Sequence, residues 1–404
     1  MTTISIITPV YNGKEFIHRP IQSALRQTYE DWELIIIDNG SLDETYQEIQ
    51  GYPDKRIKYD YFNAQHGTIA ARNQGLTLSR GEYIIFLDAD DWWADDCLNV
   101  LYNSLVSCDP NVALVHANWA FSNQDGEIGI THDSSFRSGE GLRTLVLYNP
   151  FAVHAALIRR EAIAAVGGFS PIEPSLEDWE LWLKIALKGY HFIHIPNLLA
   201  FYFWHRESKS KDIIKRKADR LGTLDRFWQR DDIPFDIKPL KKKSYATAYV
   251  DFCASQINLQ KIECAFDELD SALSYDPSIA ETIDTYYRLI YADQSASEES
   301  HWERMEKLDE EQSSRQIELL LDHLVSRTQP AQSAIDLDLA RYSAYLAMAQ
   351  ALYAERRMAS SRHYLIKAKR FSKSPLPAGL GFLYLKSLLP VKILEFVHNL
   401  RRSA

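Results

Sequence analysis

Over roughly the first 215 residues, short runs of consecutive apolar residues alternate with longer stretches in which apolar residues recur every three or four positions. Residues 57–61, in which Lys58 and Asp60 alternate with apolar residues, predict one short strand, while residues 4–8, 34–38 and 83–87 are runs of the first kind and predict buried strands. Their near-continuous apolar character predicts burial on both faces, the habit of a parallel sheet flanked by helices. Residues 14–27 predict a helix with Phe16, Ile17, Ile21, Ala24 and Leu25 on one face. Further helices are expected over 43–50 and 69–79, the latter stopped by Arg80 and Gly81. Strand alternating with helix is the signature of an α/β domain.

From about Ile213 the strand-like runs disappear, and amphipathic helical stretches rich in Ala, Leu, Tyr, Glu and Lys continue to the end. The expected division is an α/β domain over 1–215, a helical region over 216–375 and a basic amphipathic segment over 376–404. Residues 245–277 and 345–375 look alike, each a helix, a polar break, a second helix and a proline stop. That spacing resembles degenerate tetratricopeptide helix pairs, though ordinary helical packing gives the same pattern. Over the last ~50 residues basic residues far outnumber acidic ones, and within them residues 380–400 carry Phe382, Leu385, Leu389 and Phe396. Such a segment suits the interface of an anionic membrane; docking on the protein's own core is the other reading.

Composition narrows the classes. The formal net charge of −10 argues against a nucleic-acid binder. Four cysteines in 404 residues, none in a CxxC pair, form no disulfide framework and suit a reducing cytoplasm. No signal peptide and no run of ~20 apolar residues is evident, so a cytoplasmic location is expected.

In a parallel sheet the strand ends converge on one edge, where ligands bind. Four features should lie there. The first is the loop after the first strand, Thr8-Pro9-Val10-Tyr11-Asn12-Gly13, in which Tyr11 could lie flat against a base or the whole be an ordinary turn. The second is Asp38, which can accept from a nucleobase or a ribose hydroxyl; a turn or cap role is the alternative, for which Asp43 is better placed. Arg72, near a helix start, can meet phosphate or hold an acidic partner. The most telling is Asp88-Ala89-Asp90-Asp91 at the end of an apolar strand. Clustered carboxylates repel unless a cation joins them, and Mg²⁺ or Mn²⁺ bridges such oxygens to phosphate; an acidic turn without metal is the other reading. Farther on, Glu177 and Asp178 open a helix, either as a cap or as a base for an attacking hydroxyl.

Together these features resemble the family 2 glycosyltransferases of the GT-A fold. The matching stretches are "TPVYNG", "LIIIDNGSLDET", "AARNQGLTLSRGEYIIFLDADD", "VGGF" and "EDWELWLKIALKGY", over about residues 3–210. The resemblance implies a GT-A nucleotide-sugar-binding domain, Rossmann-like with a mostly parallel sheet, followed by an all-α region. It implies that Thr8, Pro9, Tyr11 and Asp38 hold base and ribose and that Arg72 fixes the nucleotide end. It makes Asp88 and Asp90 an Asp-x-Asp motif, with Asp90 the direct ligand of Mn²⁺ or Mg²⁺. Asp88 would then meet ribose, or the metal through water. His205 would meet the metal or the diphosphate, Gly167-Gly168-Phe169 would shape the acceptor side, and Asp178 would be the base of an inverting displacement. His154 stands where relatives often carry a small hydroxyl residue, marking either a distinct acceptor or a core histidine. The implied partners are a nucleotide-sugar donor, UDP favoured, and a glycan or lipid-linked acceptor of surface polysaccharide synthesis, with membrane contact through the C-terminal segment and no nucleic acid. A sugar nucleotidyltransferase would carry a Gly-rich phosphate loop, which residues 8–13 are not. A non-catalytic binding scaffold would be expected to lack Asp90 or Asp178.

Overall fold

A computed structural model describes residues 2–122, 128–132, 141–171, 176–203, 213–290, 310–327, 335–354 and 357–372. The chain divides into two compact units, Met1–Lys209 with Ile214–Lys241, and Ser210–Ile213 with Lys242–Ala404.

The first unit is built on one sheet of nine strands: β1 (Ile4–Val10), β2 (Trp32–Asp38), β3 (Ile57–Tyr61), β4 (Tyr83–Phe86), β5 (Trp92–Trp93), β6 (Val112–Ser122), β7 (Ile128–His132), β8 (Ala156–Arg159) and β9 (His191–Phe203). Their order is β3-β2-β1-β4-β8-β6-β9-β5, with β7 pairing β6. The β3-β2-β1-β4 half is parallel, as the apolar runs require, and every residue of β1, β2 and β4 is buried. Beyond β4 the sheet is mixed: β8 is antiparallel to β4 and β6, while β6 and β9 run parallel. Its helices are α1 (His18–Leu25), α2 (Thr45–Gln50), α3 (Thr68–Leu78), α4 (Cys97–Val106), α5 (Gly141–Leu145), α6 (Arg160–Ala164), α7 (Glu177–Leu187) and α8 (Ile213–Trp228).

Two sequence expectations are corrected here. The helix expected over 14–27 begins only at His18, because the residues before it are spent on turns anchored at Gly13, whose carbonyl receives Phe16 N and Ile17 N. The loop expected from Pro9 begins only at Tyr11, since Pro9 and Val10 still pair with Ile37 and Asp38 of β2. On its other side β1 pairs with β4 no farther than Ile7 with Phe86, so the N–H that Pro9 lacks has no ladder partner to lose. One close approach sets α3 against β1: a Cβ on Gly75 would come 2.3 Å from Ile7 Cγ2.

The second unit is helical, with α9 (Lys241–Asn258), α10 (Ile262–Tyr275), α11 (Ile283–Ile290), α12 (Glu310–Arg327), α13 (Leu337–Ala354) and α14 (Met358–Lys369). Ala246, Val250, Leu269, Tyr286, Leu320, Leu346 and Leu365 contribute to one shared apolar core. Among the described residues no helix is long and apolar enough to cross a membrane. The basic segment 376–404 lies outside the described residues. All four cysteines are free thiols.

Candidate active site

The carboxyl ends of β1 and β2 carry two loops laced together. Asn39 N donates to Val10 O (2.7 Å), Asn12 N to Ser41 Oγ (2.9 Å), Leu42 N to Asn12 Oδ1 (2.8 Å) and Gly13 N to Thr45 Oγ1 (2.9 Å). Asn12 takes a left-handed conformation, φ 50°, which asparagine tolerates better than most residues. Tyr11 stands at this edge, 41% exposed. Asp38 is buried: Oδ1 accepts from Ser41 N (2.8 Å) and Oδ2 from Tyr59 OH (2.9 Å). Asp43 takes the turn role, accepting from Lys14 N and Thr45 N (both 3.1 Å). Thr8 is fully buried inside β1, and its hydroxyl finds no hydrogen-bond partner among the described residues.

Arg72, one turn into α3, is buried against the ends of β4 and α7. Its NH2 group lies 2.7 Å from Asp88 Oδ1 and its NH1 group 2.6 Å from Glu177 Oε1. Burial alone would lower its pKa, but Asp88 and Glu177 outweigh it, so the guanidinium stays charged with its pKa raised. The sequence left open phosphate or acidic partner; the second is what the fold provides. The neighbouring Asn73 clasps the Gly-Gly-Phe segment, its Nδ2 donating to Phe169 O (2.9 Å) and its Oδ1 accepting from Phe169 N (3.1 Å).

Asp178 sits in the first turn of α7. Its Oδ1 accepts from Trp179 N (2.7 Å) and its Oδ2 from Asn149 Nδ2 (3.0 Å). Burial, with Glu177 next to it, pushes the Asp178 carboxyl up to about 6, against the opposing pull of Arg72 and the two donors. A carboxylate with that proton affinity is suited to accept a proton near neutral pH.

The acidic loop after β4 is divided by its surroundings. Leu87 N donates to Ile7 O (3.0 Å), and Asp91 N to Asp88 O (3.2 Å), closing a turn. Asp88 is 31% exposed at its side chain and engaged by Arg72, while Asp90 is partly exposed. Asp91 turns inward, 0% exposed, with Oδ2 3.0 Å from His154 Nδ1 and Oδ1 accepting from Phe203 N (2.8 Å). His154 is therefore a core residue bound to the acidic loop, 1% exposed at its side chain.

Among the described residues no group of three or more His, Cys, Asp or Glu could hold a metal by itself. Mg²⁺ and Mn²⁺ are commonly held through one or two carboxylates, with water and substrate phosphate completing the shell. Asp90 and Asp88 supply hard oxygens of the right kind. His205 lies outside the described residues. Sequence reasoning did not single out Tyr59 or Asn149, which hold Asp38 and Asp178.

The model of the glycosyl transferase family 2 matches residues 5–167. The Escherichia coli protein WfaP, described as a UDP-Glc:alpha-D-GlcNAc-diphosphoundecaprenol beta-1,3-glucosyltransferase, is 30% identical over 224 residues, 55% of this chain and 86% of that one. An uncharacterized glycosyltransferase of Haemophilus influenzae is 37% identical over 165 residues, 40% of this chain; the match spans 64% of that relative's length. Among solved structures, S. aureus TarS 1-349 in complex with UDP-GlcNAc superposes with a TM-score of 0.51 at 14% identity, covering 88% of this chain and 92% of that one. At that identity the likeness speaks for the fold alone.

Proposed function

The chain belongs to glycosyl transferase family 2, and on that premise we propose that it is an inverting hexosyltransferase dependent on a divalent metal. It moves a sugar from a nucleoside-diphosphate sugar, UDP favoured, to a hydroxyl of a glycan or lipid-linked oligosaccharide in surface polysaccharide synthesis. The observation that carries this reading is the buried Arg72, which joins Asp88 of the acidic loop to Glu177 beside Asp178. One cation thereby keeps the donor carboxylates and the candidate base on adjoining sides of one site.

In this reading Tyr11 stacks on the base and Asp38 accepts from the base or the ribose, with Thr8 and Pro9 forming the strand floor beneath. Arg72 acts through Asp88, because both its terminal nitrogens are engaged by carboxylates. A divalent cation on Asp90 and Asp88 would offset the charge that develops on the departing diphosphate. Asp178 takes the proton of the acceptor hydroxyl; that oxygen bonds to the anomeric carbon as the bond to the diphosphate oxygen breaks. A single base with no second nucleophile gives inversion. The name of WfaP, with its UDP-glucose donor and diphosphoundecaprenol-linked acceptor, supports a donor and acceptor of these classes. The basic, apolar segment 376–404 would bring such an enzyme to the cytoplasmic face of an anionic membrane, where a lipid-linked acceptor lies.

The test is calorimetric titration with UDP, GDP and dTDP, each with and without Mn²⁺, on the full chain and on Asp90→Ala. The expected result is Mn²⁺-dependent binding of UDP, at least about tenfold weaker in the variant. Failure of all three nucleotides to bind would instead favour a non-catalytic scaffold.

A further inference from the structure

Asn149 lies on the loop that follows α5, and the end of α5 and that loop are each pinned by another helix. Leu145 O accepts from Trp179 Nε1 of α7 (2.7 Å), and Leu147 O accepts from Arg220 NH2 of α8 (3.1 Å). Arg220 also lies over the Trp179 ring, 5.8 Å from its centroid. Two residues beyond Leu147, Asn149 Nδ2 reaches Asp178 Oδ2 at 3.0 Å. The orientation of the amide is fixed by charge, since its oxygen turned toward a carboxylate would only repel. Its Oδ1 is buried without a hydrogen-bond partner among the described residues. An amide half satisfied is costly in such a place, so packing alone does not account for an asparagine here.

The terminal torsion of an aspartate is broad, and a carboxylate held at one oxygen can still swing. Asp178 is held at both, Oδ1 by Trp179 N of its own helix and Oδ2 by Asn149. We propose that Asn149 is a positioning residue for the base, fixing the plane of the Asp178 carboxylate toward the acceptor hydroxyl and favouring its ionised form. The inference rests on the reading of Asp178 as the base. The charged groups that act on Asp178 are Glu177 on α7 and Arg72 on α3, with Asp88 beyond it; Glu180 also lies in the first turn of α7, and Arg220 of α8 lies over the adjoining Trp179. Of these Glu177 favours the protonated acid and Arg72 the carboxylate. Asn149 adds an uncharged donor on the side of the carboxylate.

The experiment is a pH titration of full-length protein labelled at aspartate Cγ with ¹³C, the Asp178 resonance being identified by its loss in Asp178→Asn. Wild type, Asn149→Ala and Asn149→Asp are compared, with UDP and Mn²⁺ calorimetry on each. In Asn149→Ala the Asp178 midpoint should rise by roughly 0.5–1 pH unit. In Asn149→Asp, which sets a like charge beside it, the midpoint should rise further. UDP affinity should stay within about threefold in both, because the nucleotide end is held by other residues. Asn149→Ser, which keeps a donor hydroxyl, serves if the alanine variant does not fold and should rise less than Asn149→Asp. An unmoved or lowered midpoint in the folded variants would overturn the inference, as would a fall in UDP affinity parallel to any loss of transfer. Sugar transfer by Asp178→Asn is read separately. Retained transfer there sinks the base assignment and this inference with it. Abolished transfer with an unmoved midpoint sinks only the role of Asn149.

Discussion

Arg72 and Glu177 stand 105 positions apart in the chain, yet their side chains meet at 2.6 Å. The other arm of the same guanidinium holds Asp88. A planar fork serves two carboxylates at once, which a lysine ammonium on a flexible stem cannot do as well. Arg72→Met would strand two acidic groups beside each other and should cost about 3–5 kcal/mol of stability, read as a lowered thermal midpoint. Arg72→Lys should fold, yet bind UDP at least about fivefold more weakly because Asp88 is no longer aimed. UDP affinity unchanged in Arg72→Lys would show that the bridge does not serve the donor site.

The pH profile follows from Asp178. Its carboxyl is raised to about 6 by burial and by Glu177, so transfer should fall on the acidic side with a midpoint near that value. The sign for stability is opposite to that of a salt-bridged acid. The folded group holds its proton to higher pH than the unfolded one, so its contribution is full at low pH and declines as pH rises toward about 6. Asp178→Asn should therefore be more heat-stable than wild type near neutral pH, with the difference shrinking as pH falls below about 6 and gone below about pH 4, near the unfolded group's own value. A difference that grows on acidification would contradict the assignment.

Asp91 and His154 form a second buried pair, 3.0 Å apart. His154→Leu leaves the inward oxygen of Asp91 without its partner and should destabilise by about 3–5 kcal/mol. Adding Asp91→Asn should recover part of that loss, since the neutral amide tolerates burial better than the charge. Additive losses in urea unfolding would mean that the two side chains do not interact.

The unit boundary makes a prediction about truncation. Helix α8 buries Leu224, Phe227 and Trp228, and Arg220 within it ties down the loop carrying Asn149. Burial of such side chains is worth roughly 1.5–3 kcal/mol each. A chain ending at Lys241 should bind UDP like the full protein. One ending at Ser210, nearer the sequence-based boundary, should melt lower and bind less. Equal binding and melting by the two would show that α8 is dispensable to the sheet unit.

How far the sequence carries is visible residue by residue. The runs at 34–38 and 83–87 announce buried strands because a strand covered on both faces has no polar alternation to obscure it. Asp38 and Asp88 are readable as edge acids because the first ends such a run and the second directly follows one. What the sequence hides is pairing at long range. Nothing local links Tyr59 to Asp38, although the register of β3 on β2 sets Tyr59 opposite Ile36, two residues before that acid. Nothing local links Asn149 to Asp178 either, since the loop carrying Asn149 is brought to α7 by the bonds of Trp179 and of Arg220 in α8. Pro9 misled for a related reason. A proline reads as a strand break, but its missing N–H faces a side of β1 where pairing has already ended.

The most direct test of the whole account compares Asp178→Asn with wild type for nucleotide binding and for sugar transfer, using the donor that calorimetry selects. The account predicts nucleotide affinity within about twofold of wild type and transfer slowed by about 10²–10⁴-fold, the range expected for loss of a general base. Transfer retained in Asp178→Asn, or nucleotide binding lost together with it, would contradict the assignment of donor site and base to separate residues.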